Sequence, residues 1–228
     1  MTIKKKKIIV DPTLKDLLDV AKEDVMLDTN CHAIGTIQAF DSATQTATVT
    51  INYKKTIFEW DKKTSSYKNV LLSYPILAEV PVVILGGGAA QITFPITKGD
   101  ECLVLFNDRD FSNWYAGNNN GPVASSRLHS FTDAIVLVGI RSSASKLGDY
   151  DATRARLRNG STQVAVSSSK VKINNSTRNL NTILQDLIAQ IKSMVISVSA
   201  VSPTGGTVSA TSSTALDLIA TQIGELLE

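Results

Sequence analysis

The chain holds two histidines, His32 and His129, and two cysteines, Cys31 and Cys102, a thin supply for chemistry. The histidines are distant in sequence, so no paired zinc-binding motif exists and little is left for imidazole acid–base work. The cysteines lie 71 positions apart with no Cys-x-x-Cys spacing, which suits neither a disulfide scaffold nor a zinc site. Both read as small buried hydrophobes. Gly86-Gly87-Gly88 follows an apolar run but lacks the Gly-x-Gly-x-x-Gly spacing, the Lys-Ser/Thr pair and the following helix of a phosphate cradle. A tight turn between two strands accounts for it better. No Gly-x-Ser-x-Gly elbow occurs, and no carboxylates pair locally in a glycosidase pattern. The sequence therefore assigns no catalytic residue, no cofactor and no metal ligand. Tyr53, Phe58, Trp60 and Tyr67, beside Lys54, Lys55, Lys62, Lys63 and Lys68, come nearest to a single-strand-binding surface. Glu59 and Asp61 dilute that patch, and a hairpin with one solvated face explains it equally well.

The bulk of the chain agrees with a scaffold. Of 228 residues, 43% are hydrophobic, enough for a packed core, while 19% are charged and 6% aromatic, lower than an ordinary cytosolic enzyme carries. The net charge of +2 gives no polyelectrolyte character, so neither a nucleic acid nor a membrane surface is implied. Lys4 to Lys7 form the one basic run, which reads as a solvated tail against a binding arm. Only three apolar residues, Ile8, Ile9 and Val10, follow it before Asp11 and Pro12, too few for a secretory signal. No stretch approaches the roughly 20 apolar residues of a membrane span, so a soluble chain is expected.

Positioning elements follow from periodicity. Asp11 as N-cap, Pro12 at the first helical position and Leu14, Leu17, Leu18 and Val20 or Ala21 predict an amphipathic helix ending near Leu27. From Ala33 the period becomes two, with a turn at Asp41-Ser42-Ala43-Thr44. Further strands are expected at 54–60, 69–74, 78–85, 90–94, 101–106 and 134–140, which argues a small closed barrel or sandwich over about 30–145. A Ser-rich linker after Arg141 marks a domain boundary near residue 145. Brief strands at 155–158, 162–166 and 170–173 are too short and polar to make a core alone and are expected to stack against copies from other subunits. From Ser176 the spacing turns helical: Leu180, Leu184, Leu187, Ile191, Met194 and Val198 make a heptad seam, widened by Ile183 and Ile188. A loop over 199–213 precedes a second helix carrying Leu216, Ile219, Ile223 and Leu226. Such a hairpin leaves a broad apolar stripe, covered either by other subunits or by folding back on the barrel.

One stretch carries a resemblance. From Pro81 the chain runs through Phe94-Pro95-Ile-Thr-Lys-Gly99-Asp100, the apolar strand Glu101 to Phe106, and Asp108-Arg109 ahead of Trp114. It continues as Arg127-Leu-His129-Ser-Phe-Thr-Asp133-Ala134 into a last strand. This order strongly resembles the N-terminal domain of phage central spike proteins, over roughly residues 75–141, with 33–53 agreeing as an earlier barrel hairpin. Gly99 and Asp100 make a turn, Asp108, Arg109 and Trp114 a fixed corner, and Arg127, His129 and Asp133 a network holding a loop on the barrel. For His129 a loop-packing role stands beside a functional contact.

The resemblance implies an OB-fold-like barrel and a short intertwined β-helical segment (146–175); with the helical hairpin or coiled-coil bundle read from periodicity (176–228), the chain is expected to be mainly β with C-terminal α. The resemblance also implies a homotrimer in the virion that caps the tail tube of a contractile phage tail and is assembled in the host cytoplasm. Its expected partners are baseplate hub and tail tube proteins, a separate tip protein and, transiently, the host envelope. Long-needle relatives end in an iron-binding His-x-His motif, which this sequence lacks, so here the helices either form the tip or hold a tip protein. Two rival readings are a barrel module that binds a cell-surface glycan or oligonucleotide, and a hub enzyme that cuts peptidoglycan. The latter usually needs an inserted domain for which the chain has no room.

Overall fold

The structure, a computed structural model, describes residues 13–193, 195–196, 206–207 and 210–227. The chain divides between Lys146 and Leu147 into two compact units. It is mainly β, with helices at the C-terminal end.

The first unit opens with α1 (Leu14–Asp28). Its N-cap is Thr13 rather than Asp11: the Thr13 hydroxyl accepts from the Asp16 amide at 3.3 Å while the Asp16 carboxylate accepts from the Thr13 amide at 3.0 Å. This reciprocal box satisfies two donors that the first turn would otherwise leave open. Asp11, Pro12 and Lys4 to Lys7 lie outside the described residues. None of the α1 side chains is buried. Next come β1 (His32–Asp41), β2 (Thr46–Ile51), β3 (Lys54–Asp61), β4 (Ser66–Ser73), β5 (Leu77–Pro81), β6 (Leu85–Gly87), β7 (Ala90–Ile92), β8 (Glu101–Phe106), the short α2 (Ser112–Tyr115) and β9 (Ala134–Val138).

Five of these strands make one antiparallel sheet in the order β5-β2-β1-β8-β9. Alternate residues point inward: Ala33 and Ile37 from β1, Ala47 and Val49 from β2, Cys102, Val104 and Phe106 from β8, Ala134 and Val136 from β9. Leu77, Val80 and Val82 complete the core. Burying each such Val, Leu or Ile contributes about 1.5–3 kcal/mol. Gly35 sits among the inward positions of β1, and a Cβ there would stand 2.6 Å from Val49 and 3.1 Å from Val104, so the strands pack too closely at this position for a larger residue. The register slips between Ile37 and Ala39 and again between Ala47 and Val49, bulges that add to the curl. The sheet thus forms a curled half-barrel.

The expected strand 78–85 is broken in two. Beyond Pro81 the chain leaves β2: Val82 bridges Val136 in parallel and the Val83 amide donates to the Val136 carbonyl at 2.8 Å. The sheet's first strand is thereby drawn to its last. Gly88, at φ +59, turns β6 into β7. Of the two cysteines, Cys102 is buried as expected, but Cys31 is exposed because it precedes β1 where the sheet ends. Burial pushes the Cys102 thiol up to about 11.

The second unit holds β10 (Ala155–Asn159), β11 (Thr162–Val166) and β12 (Val171–Asn174), an antiparallel meander within one chain, then α3 (Leu180–Ser193) and α4 (Ala210–Leu226). Two-residue strands β13 (Val195–Ile196) and β14 (Gly206–Thr207) pair between the helices. The helix opens at Leu180 rather than Ser176 because the Asn175 carboxamide accepts from the amides of Thr177 and Arg178 at 2.9 and 2.8 Å, closing a turn first. The expected loop 199–213 is shorter, since α4 already begins at Ala210.

Candidate functional site

Two of the motif residues, Arg127 and Asp133, meet Asp110 in one ionic cluster of the first unit. Asp133 and Asp110 both have side chains 1% exposed, and Arg127 reaches each of them. Its Nε donates to Asp133 Oδ2 at 3.0 Å and one terminal nitrogen to Asp133 Oδ1 at 3.1 Å, a fork matched to both carboxylate oxygens. That nitrogen also lies 2.9 Å from Asp110 Oδ1 and donates to the Ser112 hydroxyl at 3.0 Å. Asp110 accepts in addition from the Ser112 amide at 2.9 Å and from the Ser125 hydroxyl at 2.6 Å. These donors, Ser125 first and then Ser112, with the Arg127 charge, hold the Asp110 carboxyl down at about 2. The Asp133 carbonyl accepts from both the Asn107 amide, at 2.9 Å, and its side chain, at 3.1 Å. The result is a clamp: the long segment between β8 and β9, including α2, is tied to the barrel by one guanidinium shared between two buried carboxylates.

The other motif residues divide. Gly99 has φ +100 and its amide donates to the Ile37 carbonyl at 2.9 Å, while the Asp100 carboxylate accepts from the Thr97 amide at 2.7 Å. This turn feeds β8 into register beside β1. His129 is not part of the Arg127 cluster. Its backbone has φ +47, its Nδ1 stands 3.0 Å from the Asn30 carbonyl, and its own carbonyl accepts from the Asn30 side chain at 3.0 Å. It therefore fixes the connector between α1 and β1. Pro95, Asp108 and Arg109 are exposed, as is Trp114, whose ring meets Phe111 edge-on at 6.1 Å. The corner after β8 is held by Asp110 rather than by the expected Asp108. The signal was an Asp two residues before the Ser that opens α2, a spacing at which the carboxylate bonds the backbone ahead of it.

In the second unit the seam residues Leu180, Leu184, Leu216 and Ile223 are half-buried, whereas Leu187, Ile191, Ile219 and Leu226 are exposed. Met194 and Val198 lie outside the described residues. Ile188, expected only to widen the seam, is the buried member of α3. The Gln185 side chain donates to the Ala220 carbonyl at 2.7 Å, tying α3 to α4. Among the described residues no three His, Cys, Asp or Glu side chains gather to hold a metal ion. Nor is any described helix long and apolar enough to cross a membrane.

Residues 34–139 match the family described as phage protein Gp138 N-terminal domain. This span begins in β1 and ends just past β9, so it covers the curled sheet apart from the first two residues of β1, together with the Arg127 clamp. It is a little under half of the chain. The match supports a phage structural protein of the baseplate or spike type, a virion component with a non-enzymatic role. No curated protein matches the chain.

Proposed function

We propose that the chain is a trimeric central spike or hub component at the end of a contractile phage tail. The observation that carries this is the β10–β12 meander. Its register sets Ala155, Leu157, Val164, Val166, Val171 and Ile173 on one face, and Arg156, Arg158, Gln163, Lys172 and Asn174 on the other with Ala165. Leu157 is 67% exposed and Val166 48% exposed on the apolar face. A soluble monomer gains nothing from such a face, but three copies turned inward about one axis bury it. Exposed Leu187 and Ile191 on α3 and Ile219 and Leu226 on α4 support the same assembly, a bundle of helices continuing below the sheets. The sheet order β5-β2-β1-β8-β9, with its first and last strands meeting in parallel at Val82 and Val136, supports an OB-fold-like barrel.

In this reading the barrel closes the tube and meets hub and tube proteins, and the meander and helices hold three chains together while contraction drives the assembly into the host envelope. Light scattering on the full chain and on a truncation near residue 150 tests it. A mass of three chains that falls on truncation is expected. A full-length monomer overturns it. A second reading, a glycan- or oligonucleotide-binding barrel, rests on exposed Trp60 and Tyr67 and expects Trp60 fluorescence to respond to such ligands.

A further inference from the structure

The β3–β4 ribbon is not part of the barrel sheet. Eight residues per strand carry it about 26 Å at roughly 3.3 Å per residue. Its register separates two faces. Lys55, Ile57, Glu59 and Asp61 face one way with Leu72, Val70, Lys68 and Ser66. Thr56, Phe58 and Trp60 face the other with Leu71, Asn69 and Tyr67. On this second face Phe58 is 50% exposed and Tyr67 is 70% exposed. A two-stranded ribbon is marginal in water unless one face is covered.

The same chain presents a second uncovered surface, the helix α1. Leu14, Leu17, Leu18 and Val25 form an exposed stripe at helical spacing. At about 1.5 Å per residue its 15 residues span about 22 Å, close to the ribbon's length. The charges are opposite. α1 carries Asp16, Asp19, Glu23, Asp24 and Asp28 against Lys15 and Lys22, a net charge of −3. The ribbon and its turn carry Lys54, Lys55, Lys62, Lys63 and Lys68 against Glu59 and Asp61, a net charge of +3.

Within one chain both faces stay exposed rather than packing together. The C-terminal end of α1 is anchored at Asp28, whose carboxylate pairs with Lys55 at 2.5 Å, and Lys55 lies on the face opposite Phe58 and Trp60. The connector that follows is fixed by the reciprocal Asn30–His129 bonds. We infer that α1 of one copy straps the aromatic face of the β3–β4 ribbon of a neighbouring copy. Donation in one direction around three copies closes a ring, so every ribbon is covered and no helix is left over. The strap rests on the trimer reading only in needing a second copy.

The full chain with Cys31→Ser, Leu18→Cys and Phe58→Cys, treated with a flexible bis-maleimide that tolerates any register along the ribbon, tests the direction of exchange. Covalent dimers and trimers on a denaturing gel are expected. Bands of single-chain mass from a protein that scatters light as three chains overturn the strap and leave the trimer standing, whereas single-chain mass in solution overturns both. Trp60 gives a second readout in a Trp114→Phe chain. Leu17→Asp with Leu18→Asp should shift Trp60 emission to the red at unchanged threefold mass, and unchanged emission overturns the strap.

Discussion

The two units solve the burial problem differently. In the barrel unit the alternating residues of five strands all find one another: Ile37, Val49, Val104 and Val136 are wholly buried within a single chain. In the second unit the alternation is as regular, yet Leu157, Val164, Val166 and Ile173 stay exposed among the described residues. The difference lies in strand number and reach. Five strands with bulges and a tight glycine curl into a half-barrel that buries its inner face, whereas a three-stranded meander of four- and five-residue strands has no such reach. A sheet that covers its own core draws its stability from one chain, whereas in the trimer proposed above the meander would draw its stability from assembly.

That contrast can be broken most sharply in the second unit. Leu157→Asp with Val164→Asp places two charges on the face that the proposed trimer buries, and light scattering should then report a fall from three chains to one while the barrel stays folded. A retained threefold mass would mean that the meander faces solvent. The barrel should show the opposite dependence. Ile37→Ala opens a cavity among fully buried side chains and should cost about 2–5 kcal/mol in denaturant unfolding, independent of protein concentration. Dilution should shift the unfolding of the second unit far more than that of the five-stranded core.

A smaller effect sharpens the account of curvature. Gly35→Ala forces a methyl group against Val49 and Val104 and should destabilise the barrel by about 1–3 kcal/mol. A neutral result would show that the sheet can relax there. The smallest effect is acid sensitivity. Asp110 is held at about 2 in the folded chain, below its ordinary value of 3.8, so its contribution is present above pH 4 and is lost as pH falls from about 4 toward 2. Ser125→Ala removes the first of its donors and should flatten that part of the barrel's stability-against-pH curve, while the second unit's unfolding is unaffected.

Much of the barrel was legible because its signals are local. A strand shows in alternation, and Glu101 to Phe106 was delimited correctly to the residue because Gly99 and Asp100 turn the chain immediately before it. The Arg127 clamp was legible as residue types in one loop, but its partner Asp110 was not singled out, since Asp108 and Asp110 look alike until one of them is buried. Cys31 was misjudged for the same reason: a thiol beside a strand reads as core, and only the end of the sheet leaves it in water.

The sequence by itself determined the approximate place of most strands and helices, which face of each is apolar, and that no cluster of reactive side chains is written into contiguous residues. Each of these follows from periodicity and local hydrogen bonding, which act over a few residues. Only the tertiary structure decided which apolar faces are satisfied within one chain. Strand order, the parallel meeting of Val82 with Val136, and the isolation of the β3–β4 ribbon all depend on pairings between distant residues, whose energies no local pattern encodes.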